Sequence, residues 1–338
     1  MNKAYIKAVS YYLPTEILSN EIINSEFPEW SVDKISSKTG IFNRHIASDD
    51  EFSLDMAVKA ANNLFNEHEI SRSSVDFILL CTQSPDYFLP TTACILQERL
   101  GIPTTAGALD FNLGCSGYIY GLALAKGLIY AGIAKNILLV TSETYSKFIH
   151  PKDKSNKTIF GDAATASLIS AMDGLAEILD FELGTDGRGA ENLIVKNGGM
   201  RHAKDVSGLG DKVDDFGNIH NENNLYMNGT EIFNFTSNAV PALIDAVLTK
   251  NNILKEDISL FIFHQANKYM LNHLRKKAKI DEDKFYYFLE NCGNTVSSTI
   301  PIALANAWQN KEIKDKVLLA GFGVGYSWGG CIIKVIEQ

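Results

Sequence analysis

Apolar residues fall into two patterns along this chain, and each predicts its own kind of element. Mostly apolar runs at residues 75–81, 136–142, 165–170, 176–183, 258–263, 285–289, 317–320 and 331–336 predict strands. Several, such as Phe77-Ile78-Leu79-Leu80, are apolar at every position, which places them in a sheet covered on both faces. Residues 4–10 predict a first strand before a turn at Pro14. Helical spacing is clearest over 53–66, where Leu54, Ala57, Val58, Ala61, Leu64 and Phe65 share one face. Further helices are expected over 21–27, 91–100, 230–248, within 265–279, and over 295–309. Residues 30–46, 83–90 and 152–157 read as loops. The segment 191–228, rich in Gly, Asn and Asp, is too long for a plain connector and suggests a lid or substrate loop.

One stretch stands at the centre of this pattern. A short strand at 108–111 breaks at Gly114 and restarts as a helix running to about Gly132, with Lys126 its one charge. A helix apolar on almost every face belongs inside a large domain. Its glycines and Lys126 argue against a membrane span. Gly117 and Gly121, one turn apart, would let another backbone come close. Two pairs of strands echo each other, 75–80 with 258–263 and 136–140 with 316–320. They suggest two similar β/α halves, 1–172 and 173–338, in a layered α/β fold.

Composition narrows the class. The chain has 338 residues, 46% hydrophobic and 21% charged, as in ordinary globular proteins. A net charge of −9 argues against general nucleic-acid binding. The N-terminus has no apolar leader and reads directly as a strand. The five cysteines, an odd number, match no metal spacing, which suggests reduced thiols in a cytoplasmic protein.

Chemistry gathers at a few positions. Cys115 stands at a helix start, where free N–H groups and the helix dipole should lower a thiol pKa and make it a nucleophile. A buried structural Cys is the competing reading. His264 follows an apolar strand, at the carboxyl end where open α/β sheets place ligands. Asn294 lies in Asn291-Cys292-Gly293-Asn294-Thr295, which could equally be a turn capping the next helix. Residues 321–330, Gly-Phe-Gly-Val-Gly-Tyr-Ser-Trp-Gly-Gly, could bring backbone N–H groups to a ligand, but lack the dinucleotide-binding spacing. The basic residues of 38–45 are either a solvated loop or an entry for an anionic ligand.

Taken together these motifs resemble the β-ketoacyl-acyl-carrier-protein synthase III group of the thiolase-fold condensing enzymes. Gly-Cys-Ser-Gly at Cys115, His-Gln-Ala-Asn at His264, Gly-Asn-Thr at Asn294 and Gly-Phe-Gly-Val-Gly at 321–325 occur in the family's order. Lys38-Thr39-Gly40-Ile41 and Phe160-Gly161-Asp162-Ala163 fit as well, so the resemblance spans nearly the whole chain. It implies a thiolase-like fold of two halves in an α-β-α-β-α arrangement, and a homodimer. It implies a Cys115, His264, Asn294 triad, with the Cys115 and Val324 backbone N–H groups as oxyanion donors. It further implies an acyl pocket at Leu89 and Phe160, and a CoA or pantetheine path along Lys38, Lys154, Phe233 and Asn267. The reaction implied is decarboxylative condensation of a Cys-bound acyl group with a malonyl thioester. The substrates are acyl-CoA or acyl-carrier-protein thioesters, and no cofactor or metal is called for.

The chain departs from the family's pattern in instructive places. The Trp and Arg that clamp adenine match Lys34 by spacing, with Trp30 nearby, and Lys154. Tyr269 stands where an Arg is expected, and Leu89 where Phe is frequent. Lys lacks the flat guanidinium that stacks on rings, so weaker CoA binding or a carrier-borne donor is expected. Lys268, Arg275, Lys276 and Lys277 form a basic run that is either a solvated helix face or a docking patch for an acidic acyl carrier protein. Two other readings stay open: ester or amide transfer from acyl-Cys115 without decarboxylation, and a non-catalytic lipid-binding module.

Overall fold

The mostly apolar runs pair edge to edge. The computed structural model describes residues 3–204, 210–214 and 217–336. Its main strands are β1 (Tyr5–Tyr12), β2 (Phe77–Cys81), β3 (Gly107–Phe111), β4 (Asn136–Glu143), β5 (Ala163–Ser170), β6 (Ala176–Thr185), β7 (Leu260–Phe263), β8 (Lys316–Gly323) and β9 (Ser327–Val335). They form one mixed sheet in the order β7-β8-β9-β6-β1-β5-β4-β2-β3. The sequence echoes take matching places in it: β2 runs parallel to β4, and β7 parallel to β8. The midline is a short antiparallel contact in which Tyr5 faces Glu177 and Ile6 faces Ala176.

The main helices are α1 (Val32–Thr39), α2 (Ser53–Glu67), α3 (Thr92–Leu100), α4 (Gly117–Tyr130), α5 (Gly229–Asn251), α6 (Lys268–Lys277) and α7 (Thr299–Gln309), with two shorter ones at Asn20–Glu26 and Lys154–Lys157. Three cores divide them into layers. Ala57, Ala61 and Leu64 of α2 and Leu96 of α3 bury against Ile78, Leu80 and Val140 on one outer face. Ile119 and Leu122 of α4 and Ile300 and Leu304 of α7 lie in the middle, against Leu79, Leu139, Ile262 and Leu319. Leu243, Ile244 and Val247 of α5 and Leu271 and Leu274 of α6 cover Phe261, Leu318 and Ile332 on the other outer face. The result is the α-β-α-β-α arrangement. Each buried Leu or Ile adds roughly 1.5–3 kcal/mol, so the middle layer alone contributes strongly to stability. Among the described residues α5 is the one helix long and apolar enough to cross a membrane. Its apolar side is taken up by the sheet.

Several expectations need correcting. Residues 30–46 are not a loop: they hold α1 and a strand, Asn43–Ile46, paired with Glu16–Ser19. Residues 285–289 contribute only an isolated parallel bridge from Phe285 to Phe261. Gly117 and Gly121 do not admit a backbone. A Cβ on Gly117 would stand 2.3 Å from Cys81 Sγ, and one on Gly121 2.5 Å from Leu139 Cδ1, so both admit strand side chains. The long 191–228 segment folds into two small ladders, Leu193–Val195 with Leu225–Met227 and Lys212–Val213 with Ile219–His220. Its residues 205–209 and 215–216 lie outside the described residues.

Candidate active site

Three chain segments from different parts of the sequence converge on one cavity of ≈ 360 Å³, lined by Cys115, His264, Asn294, Phe160, Phe233, Asn267, Phe322 and Gly323 among others. Cys115 arrives from the turn between β3 and α4 and is nearly fully buried. Its approach to β8 depends on a glycine: a Cβ on Gly323 would lie 2.9 Å from Cys115 Sγ. The Val324 and Cys115 backbone N–H groups face the sulfur and favour its thiolate form.

His264 leaves the end of β7 and is buried. Its Nδ1 lies 2.8 Å from Thr299 Oγ1, and that hydroxyl also lies 3.1 Å from the Val296 carbonyl. When the Thr299 proton points to Nδ1, the imidazole carries its own hydrogen on Nε2. Asn294 Oδ1 accepts the Val296 backbone N–H at 3.0 Å. A backbone N–H can only donate, so this contact fixes which end of the amide is oxygen. It leaves Nδ2 as a donor for the cavity.

Burial dominates the protonation states. Cys115 is pushed up to about 12 by loss of water, with Glu143 adding to the rise and the two backbone N–H groups opposing it. The low thiol pKa expected from the helix start is therefore overturned, because desolvation outweighs the dipole. Burial also brings His264 down to about 3, so the imidazole is neutral at physiological pH. The resting pair is a thiol and a neutral imidazole, not a thiolate and an imidazolium.

Other expected residues divide. Phe160 lines the cavity and packs against Tyr145 at 5.3 Å between ring centroids. Phe233 lines it too and stacks on Tyr269 at 5.9 Å. Asn267 lies on the cavity wall, but its Oδ1 also accepts the Met270 N–H at 2.8 Å and caps α6. Lys38 lines a neighbouring cleft with Trp30, Ser155, Asn267 and Tyr269. Trp30, not Lys34, faces this cleft, and Lys34 Nζ instead lies 4.9 Å from the Trp30 ring centroid. Lys154 is held by Glu29 at 2.8 Å.

Leu89 is 83% exposed and stands apart from the cavity of its own chain. In the basic run, Lys268 pairs with Glu290 at 3.8 Å, Lys276 lines a surface cleft and Lys277 reaches Asn238 at 3.5 Å. Arg275 departs from the expected patch: it bonds the Ile280 carbonyl at 3.1 Å and Glu282 at 3.2 Å, with 11% of its side chain exposed. Arg44 is fully buried and bonds Asn20 Oδ1 at 2.6 Å, which makes it structural and not an anion entry. Asp162, in the Phe-Gly-Asp-Ala motif, holds the Ala47 and Ser146 backbone N–H groups.

Sequence reasoning missed Thr299, which orients His264, and Leu193 and Met227, which line the cavity from the base of the long segment. Thr299 was readable in principle as the first residue of a helix starting just after Asn294. Leu193 and Met227 carry no local signal, because a ladder between distant strands brings them in.

The model of 3-oxoacyl-[acyl-carrier-protein (ACP)] synthase III matches residues 109–187, and the model of its C-terminal region matches residues 248–335. The β-ketoacyl-[acyl-carrier-protein] synthase III of Clostridium perfringens is 35% identical over 341 aligned residues, covering 99% of this chain and 100% of that protein. A crystal structure of a 3-oxoacyl-(acyl-carrier-protein) synthase III is similar with a TM-score of 0.96 and 49% identity, over 98% of this chain and 99% of that one. The 3-oxoacyl-(acyl-carrier protein) synthase from Burkholderia xenovorans gives 0.90 and 35% identity, over 98% and 94%.

Proposed function

The chain belongs to the β-ketoacyl-[acyl-carrier-protein] synthase III family, and from that membership we propose that Cys115, His264 and Asn294 carry its condensing reaction. The observation that supports this most is their convergence on one cavity. In the first step Cys115 Sγ attacks the carbonyl of an acyl thioester. The oxyanion forms between the two N–H groups, each worth about 3–4 kcal/mol by analogy with other acyl-transfer sites. The donor's C–S bond breaks, and the thiol proton ends on the departing thiol.

In the second step a malonyl thioester replaces the leaving thiol. Its carbonyl accepts hydrogen bonds from His264 Nε2 and Asn294 Nδ2. The bond to the carboxylate breaks, CO₂ leaves, and the electron pair is held as an enolate by the same two donors. The enolate carbon attacks the acyl carbon, the Cys115 Sγ–C bond breaks, and the sulfur takes back a proton. The product is a 3-oxoacyl thioester. A neutral imidazole suits this role, since it donates without first losing a charge.

The acyl chain lies against Phe160, and Leu89 completes the pocket of a partner copy in a homodimer. Lys38, Phe233 and Asn267 line the path of the pantetheine arm. Lys154, bound to Glu29, is a weaker candidate for contact with CoA. An acyl carrier protein docks on Lys268, Lys276 and Lys277, in the cytoplasm. A single pair of variants tests the division of labour. His264→Ala and Asn294→Ala should still take up an acyl group on Cys115, while CO₂ release from malonyl carrier falls roughly 10²–10³-fold, the loss seen when one such donor is removed. Loss of acyl uptake together with CO₂ release in both variants would contradict it.

A further inference from the structure

β4 ends on Glu143, a carboxyl with no exposed surface that the condensing steps do not use. Its Oε1 accepts the Ser297 hydroxyl at 2.8 Å, in the segment that carries Asn294 and Thr299. Its Oε2 accepts the Gln83 backbone N–H at 3.0 Å and the Ser84 hydroxyl at 3.4 Å, in the loop after β2. The Gln83 side chain carries the network further. Its Oε1 accepts the Tyr145 hydroxyl at 2.5 Å, and its Nε2 donates to Asn112 at 3.0 Å. That same Oε1 lies 2.6 Å from where a Cβ on Gly114 would stand, one residue before the nucleophile. One carboxyl thus ties the first-half loop beneath Cys115 to the second-half segment that supplies the condensing donors.

The titratable groups facing this carboxyl are Cys81 on β2, Cys115 before α4, Tyr145 after β4, and Asp162 before β5. None of them is a cation. Burial without a counter-charge pushes Glu143 up to about 8. The hydrogen bonds fit the neutral acid. The Gln83 N–H must donate and so needs an oxygen, whereas the Ser297 hydroxyl can accept as well as donate. A carboxylic acid is compatible with both: its C=O accepts the Gln83 N–H, and its other oxygen keeps the 2.8 Å contact with Ser297 Oγ, where either hydroxyl can supply the hydrogen. A glutamine offers the same pattern.

We propose that Glu143 is a positioning residue for acylation of Cys115, acting as a neutral acid that clamps the Asn294–Thr299 segment and the Gln83 loop about the nucleophile. This rests on the reading of Cys115 as the acylated residue. Ionisation of Glu143 would set a negative charge beside a sulfur that must itself become negative, and would oppose the step.

The rate of acyl uptake on Cys115, followed by intact-protein mass spectrometry in wild type, Glu143→Gln and Glu143→Ala, tests this. Glu143→Gln should keep most of the wild-type rate at pH 7, and Glu143→Ala should lose roughly 100-fold, the cost of small misplacement at a reacting centre. As pH rises through about 8, the Gln variant should gain on wild type, because it has no carboxyl to ionise. Melting curves of both variants show whether either has unfolded. A Gln variant as slow as the folded Ala variant, or a rate ratio to wild type that does not change with pH, would overturn the proposal. Failure of wild type itself to take up acyl groups would overturn the assignment of Cys115 and this inference with it.

Discussion

At the scale of single residues, burial decides the chemistry. At their ordinary values of 9.0 and 6.5, Cys115 and His264 already favour the uncharged pair, and burial widens that gap. Taken from water, the thiol rises to about 12 and the imidazole falls to about 3, so both rest uncharged. His264 is held in place by Thr299, whose Oγ1 lies 2.8 Å from Nδ1. A consequence follows for pH. A histidine with its ordinary value of 6.5 would impose an acid limb there. Here the group protonates only near 3, so its donor state is complete well below neutrality. The rate of CO₂ release by the pre-acylated enzyme should show no limb near pH 6.5 that is lost in His264→Gln. A limb of that kind would mean that the imidazole titrates in an ordinary environment.

Elements position these residues through close approach. β8 and the Cys115 turn touch because Gly323 has no side chain, with a Cβ there lying 2.9 Å from the sulfur. Gly323→Ala should slow acyl uptake roughly 100-fold while the protein still melts cooperatively, since the change displaces the nucleophile and not the core. An unchanged rate would show that the turn has room to spare. The segment after Asn294 is held in a demanding shape. Val296 has φ +56°, a region that β-branched residues rarely occupy, and its N–H is what orients Asn294.

This scale also shows what the sequence could reveal. Strands such as 75–81 and 258–263 were legible because mostly apolar runs admit few other readings. Cys115, His264 and Asn294 were legible because each stands in a short motif at an element end. The helix Val32–Thr39 was not, because its surface is polar and only Ile35 and Thr39 are buried. The thiol's environment was not legible either, since it depends on Val324 and Glu143 coming from distant strands. Glu143 falls just past the strand read at 136–142, and only the three-dimensional structure shows that it ends β4 fully buried.

For the whole molecule, the sheet order runs outward from β1 and β6 in matching steps. We propose that the chain is two repeated halves, 1–172 and 173–338, meeting in the turn between β5 and β6. The first supplies the nucleophile and the second the two donors, so neither is active alone. We propose that a homodimer covers the exposed apolar loop Tyr87-Phe88-Leu89, where Phe88 is 80% and Leu89 83% exposed. Light scattering should give about twice the chain mass of 37.3 kDa, and Phe88→Asp should shift the protein toward monomer. A wild-type mass of one chain would remove the basis for placing Leu89 in a partner's acyl pocket. In the proposed reaction Cys115 carries the acyl group on its way to condensation. The most direct measurement is the intact mass of the protein after incubation with a panel of acyl-CoA and acyl-carrier-protein thioesters. The account predicts one acyl adduct per chain, absent in Cys115→Ala and discharged with release of CO₂ when malonyl carrier is added. A folded wild-type protein that takes up no acyl group from any donor, or one whose adduct persists in Cys115→Ala, would contradict it.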